Sequence, residues 1–214
     1  MTSKAKLWLT ACVALAIGIP AGGWAAGELQ RFPQLQVDQL DAQQRSVADR
    51  ILKVSSLGIS GPYNPMLRSP VFASRMVDLL DYLRFNTSVP RRLNEFAILI
   101  QGRLWTSQVE WVAHAPLAVK AGLPQSVIDD LKEGRRPAGM QPDEAVVYDL
   151  SMDLATQHRL SDATFARAKA VLTDQQIVDL VAVSGTYVTV AMLLAAADEK
   201  APGGATPLAP LATQ

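Results

Sequence analysis

Cysteine is almost absent from this 214-residue chain: Cys12 is the only one. It lies in an apolar N-terminal stretch, so the chain can form no internal disulfide and no dithiol redox couple. Histidine is nearly as scarce. His114 and His158 are the only two, and no HExxH spacing joins them, so no bound metal is expected. Neither charge dominates, with 20 Lys+Arg against 20 Asp+Glu and no basic run, which excludes nucleic acid as a partner. Aromatic residues make up only 6%. The abundance of Ala and Leu instead favours helices over strands, and the expected fold class is all-α. Ser107 has no nucleophile elbow around it, which removes a Ser–His hydrolase.

The first 26 residues read as a secretory signal peptide. Lys4 and Lys6 precede an apolar core from Leu7 to Ile19, then Pro20, Gly22 and Gly23, with Gly23-Trp24-Ala25 as a small-x-small cleavage site. A periplasmic or secreted protein is the expectation, and an uncleaved anchor over residues 7–27 is the alternative. Residues 27–37 read as a linker, 38–198 as one helical domain and 199–214 as a disordered tail, because APGGATPLAPLATQ has no periodic apolar pattern.

Within the domain, helix signals alternate with breakers. Asp38 and Asp41 precede QQRSVADRILKVSS, and LGISGPYNPMLRSP reads as a loop. Ser69-Pro70 and Pro90 open the next two helices. The helix from Pro90 either runs on or breaks near Trp105–Ser107 before a further helix that ends at Ala121-Gly122. Pro124–Glu133 and Asp143–His158 follow, and Ser161 and Thr173 cap the last two helices. Leu180–Ala197 carries no charge and is expected to be a buried core helix rather than a membrane span.

Between Leu104 and Ala121 the only ionisable residues are Glu110, His114 and Lys120. Glu110 and His114 are four apart, adjacent on a helix surface. With Arg103 and Ser107 they form one stripe if the helix is unbroken. An exposed polar face would look similar, but so apolar a helix is expected to be buried, and a buried Glu or His must pair or serve a function. The chemistry this points to is general acid–base catalysis without a cofactor.

These motifs resemble the carboxymuconolactone decarboxylase family, a branch of the alkyl hydroperoxidase D-like superfamily. The resemblance spans roughly residues 38–197 and rests on GPYNPMLRSP, RRLNEFAIL, the R-x-W and EWVAH blocks, A-x-KAGL, SDATFARA and IVDLVAVSG. The redox branch uses Glu-x11-Cys-x2-Cys-x3-His, and here the same frame reads Glu95, Ser107, Glu110, His114. Both redox cysteines are replaced, which excludes thiol peroxidase chemistry. The resemblance implies a helical bundle with a buried central hairpin, assembled as a homo-oligomer from dimer to hexamer; the balanced charge leaves no nucleic-acid partner expected, and removal of the signal peptide no membrane contact. It also implies a decarboxylase-type lyase acting on a small carboxylate or lactone. In that frame His114, held by Glu110, is the acid–base group, with Glu95 as a second such group or as the residue orienting His114. Arg103 would bind a substrate carboxylate, Trp111 would form an apolar wall, and Tyr63, Asn64 and Arg68 would be pocket contacts. An exported protein would meet a different substrate from the family's cytoplasmic one. An isomerase or tautomerase using the same pair, and a non-catalytic binding or assembly protein, remain open at this stage.

Overall fold

A computed structural model describes residues 31–55 and 57–211. Among them the chain is all-α, with nine α-helices and no strand. They are α1 (Ala42–Ile51), α2 (Tyr63–Met66), α3 (Pro70–Asp81), α4 (Arg91–Leu104), α5 (Gln108–Lys120), α6 (Gln125–Lys132), α7 (Pro142–Met152), α8 (Asp162–Val171) and α9 (Asp174–Ala197). The segment expected to be a signal peptide, with its expected cleavage site and Cys12, lies outside the described residues.

Several helix starts are set locally. Asp41, Ser161 and Thr173 each accept a backbone N–H three residues on, and Asp41 and Thr173 complete the box through Gln44 and Gln176. α4 is the central element, packed against α5, α7 and α9. Residues Leu93 to Arg103 are all buried, polar Asn94, Glu95, Gln101 and Arg103 included. Arg92 at its start binds Asp143 (2.7 Å) and the fully buried Glu144, which locks α4 to α7. α9 is long and apolar enough to cross a bilayer, yet Leu180, Val183, Tyr187, Val190 and Leu194 form a buried side within the core.

Three local expectations change. The helix after Asp41 ends at Ile51, and Val54 falls in the following turn. One turn of helix, α2, sits inside the segment expected to be loop. The helix from Asp143 stops at Met152 and continues as a π-helical turn, Asp153–Gln157, which ends at a left-handed His158.

The two flanks need correction as well. Residues 31–36 do not hang as a linker, because Asn64 donates to Phe32 O (2.9 Å) and accepts from Leu35 N (3.1 Å), while Arg68 binds Pro33 O. The tail through residue 211 is not disordered. Leu208 is 3% exposed and exchanges two hydrogen bonds with the Gln108 side-chain amide, at 2.8 and 3.0 Å. Compositional bias removed the helical period but not the ability to pack one leucine and share its backbone polar groups.

Candidate functional site

The site is built on a sharp reversal. α4 ends at Leu104, and the Thr106 amide donates to Arg103 O while the Ser107 amide donates to Gly102 O (3.0 and 2.8 Å), the paired closure of a Schellman cap. Its left-handed position is held by Thr106, at φ 49°, where glycine is usual and a β-branched residue is strained. The reversal brings α5 back along α4. The two helices pack closely at Gly102, where a Cβ would lie in van der Waals contact with Glu110 Cβ, at 3.4 Å. A continuous helix from 91 to 120 would have carried Glu110 past this position.

His114 and Glu95 meet across the hairpin. His114 Nδ1 lies 2.7 Å from Glu95 Oε2, with both side chains buried, and Arg91 Nη2 binds the other Glu95 oxygen at 3.0 Å. A carboxylate held by an arginine can only accept, so Nδ1 carries a proton and Nε2 is the free ring nitrogen. Tyr187 packs edge-on against the imidazole, ring centroids 5.1 Å apart and planes at 90°. Burial pushes the Tyr187 phenol up, only partly opposed by nearby Arg84, so it stays protonated.

Glu110 does not hold His114, contrary to expectation. It is 3% exposed, and neither carboxyl oxygen makes a hydrogen bond. Ser107 Oγ is close enough to oppose the effect of burial but completes no bond with it. Desolvation therefore dominates, and the Glu110 carboxyl is pushed up to about 8. At neutral pH it is a protonated acid.

Glu110 and His114 line a cavity of about 320 Å³, walled by Val54, Leu57, Leu80, Val109, Leu117 and Leu194, with Ser55, Tyr63, Arg84 and Tyr187 as its other polar residues. The space would hold about ten water molecules, at the small end of ligand sites. Among the described residues no three His, Cys, Asp or Glu side chains converge to hold an ion.

The remaining expected residues divide. Tyr63 is in the lining, whereas Asn64, Arg68, Arg103 and Trp111 are not. Asn64 and Arg68 fasten the N-terminal segment, and Trp111 is buried in the core. Arg103 lies beside Gly134, with Nη1 3.4 Å from Thr106 Oγ1, because the break at 105–107 separates it from the stripe on α5. The cavity's cation is instead Arg84. Arg84 carried no periodic or motif signal. Tyr187, in an uncharged helix, reads as core until His114 is placed against it.

No family model matches this chain, and no curated protein or solved structure matches it either.

Proposed function

We propose that this protein is a cofactor-independent acid–base catalyst of the carboxymuconolactone decarboxylase type, a lyase acting on a small unsaturated carboxylic acid or lactone. The observation that carries this reading is the pairing of unlike groups in one apolar cavity: a protonated, unbonded Glu110 beside a His114 oriented by Glu95. Structural carboxylates are satisfied by donors, and a buried one left without any is an expected signature of proton transfer.

The balanced step is short. The bond between the departing carboxylate and its carbon breaks, CO2 leaves, and the electron pair spreads into a conjugated enolate. His114, when it carries both protons, donates from Nε2 to the enolate oxygen, its charge balanced by Glu95. Glu110 delivers its proton to carbon, and solvent restores it. Apolar walls favour the reaction by stripping water from the departing carboxylate. The superfamily's bundle and a homo-oligomeric assembly belong to the same proposal, as does an exported location.

An isomerase would use the same groups to move a proton and release no CO2. The test is CO2 release and ultraviolet change with 4-carboxymuconolactone and related unsaturated acids, comparing wild type with His114→Ala. Turnover should fall by about 10²–10⁴-fold in the variant while helicity and melting remain close to wild type. Retention of activity in His114→Ala would sink the mechanism, and proton exchange into substrate without CO2 would convert it to the isomerase.

A further inference from the structure

Arg84 occupies an unusual place in the chain. After α3 the backbone makes a π-helical turn, Tyr82–Asn86, whose extra residue per turn shifts the phase of the side chains. Leu83 enters the core, Tyr82 and Phe85 stay exposed, and Arg84 lines the cavity that holds Glu110 and His114. Its Nε is buried without a hydrogen-bond partner, and no ion pair reaches its guanidinium among the described residues. Its guanidinium lies over the Phe85 ring, 4.9 Å from the centroid.

Neither acid of the site can serve as the partner. Glu95 is taken by Arg91 and His114, and Glu110 carries a proton at neutral pH. Arg84 is half-buried, and a guanidinium that faces an apolar cavity with no ion pair is placed to receive an anion that arrives with the ligand. No other lysine or arginine lines the space, so one anionic group can be matched there. A guanidinium offers two parallel donors to a carboxylate.

We propose that Arg84 anchors the substrate through a carboxylate that the reaction leaves intact, and so selects compact acids with one retained carboxylate on an unsaturated, otherwise apolar body. This rests on the acid–base reading above and adds to it. A departing carboxylate paired with arginine would be stabilised as a ground state and would lose CO2 more slowly. The anchored group is therefore the retained one, and the reacting end faces the Glu110–His114 side.

The test separates binding from chemistry. Titration calorimetry of the full chain with 2-furoate and with 2-furamide needs no turnover. Furoate should bind wild type while furamide, the same shape without charge, should bind at least about tenfold more weakly. Arg84→Gln should remove that preference, and Arg84→Lys, which keeps the charge without the planar fork, should retain part of it and confirm that the cavity is folded. On any acid turned over, Arg84→Gln should raise KM more than it lowers kcat. Equal affinity for furoate and furamide, absence of furoate binding to wild type, or undiminished binding in Arg84→Gln each overturns the assignment. Furoate selectivity without turnover of any acid would keep the anchor and reject the catalytic reading. Turnover with KM unchanged in Arg84→Gln would do the reverse.

Discussion

Asp179 and Glu110 are both buried carboxylates near the start of a helix, 5% and 3% exposed, and the protein treats them in opposite ways. Asp179, in α9, sits under the turn before α4. It accepts from Tyr82 OH, Thr87 Oγ1, Ser88 N and Ser88 Oγ at 2.8–3.1 Å. Burial alone would push its carboxyl up, but the bonds from Ser88, Thr87 and Tyr82 together outweigh it and hold the group below the usual range. Glu110 accepts no bond and burial prevails, so its carboxyl rises to about 8. The same chain therefore solves carboxylate burial where it needs an anchor and leaves it unsolved where a cavity opens. Glu144, fully buried, is likewise supplied with donors, by Arg92 and by the Gln141 backbone amide.

The largest test of the contrast is Glu110→Gln. Between the ordinary value of 4.5 and about 8, the folded protein keeps a proton that the unfolded chain releases. Stability from that group is complete below the unfolded value and is lost as pH rises toward about 8. Glu110→Gln should thus stabilise the fold at pH 7 by on the order of 3 kcal/mol and leave it unchanged near pH 4, while turnover falls and its alkaline limb disappears. Chemical denaturation at the two pH values reads this. An equal effect at both would mean that Glu110 is paired after all.

Asp179→Ala should act in the other direction and somewhat less. Losing a charged acceptor strands several part-buried donors, at a cost of about 2 kcal/mol at pH 7. Its carboxyl is depressed, so its contribution is present above the unfolded value and fades as pH falls through the folded one. The difference from wild type should therefore shrink in acid, opposite to the trend for Glu110→Gln. A pH-independent difference would break the comparison.

The smallest test concerns the turn that creates the site. Thr106 is held at φ 49°, where glycine carries no steric penalty. Thr106→Gly should stabilise by about 1 kcal/mol without moving the alkaline limb of turnover, measured by melting and a pH–rate profile. A loss of stability would show that the Arg103–Thr106 contact outweighs the backbone strain.

Much of this architecture was legible residue by residue. Asp41, Ser161 and Thr173 announce helix starts because capping is a local exchange between a side chain and an amide three positions away. The break near Trp105–Ser107 was visible only as one of two outcomes, since no glycine marks the left-handed residue. Glu110 and His114 stood out as ionisable groups in apolar surroundings and Glu95 through the resemblance, and all three are buried. The sequence leaves their pairing open, with Glu110 as the residue holding His114 and Glu95, through the resemblance, as a second acid–base group or the residue orienting it. Spacing suggested Glu110 with His114, yet a contact from a neighbouring helix reached the imidazole first. Asn64 and Arg68 looked like ligand contacts because a polar loop near a site resembles one, and their actual targets are backbone carbonyls of residues 32 and 33. Leu208 was lost in a segment without period, where a single anchored side chain leaves no pattern.

The sequence by itself determined an all-α chain, the positions of most helix starts, and the small set of ionisable residues forced into apolar surroundings. These follow from periodicity and capping, which act within about four residues. Only the tertiary structure decided which of those residues share a bond. It joined His114 to Glu95, left Glu110 without a donor, moved Arg103 out of the site and brought Arg84 in. Those outcomes depend on the direction in which α5 returns along α4 and on the phase of one π-turn. Both are geometric sums over many residues, and one added residue in a turn is enough to exchange one side chain for another.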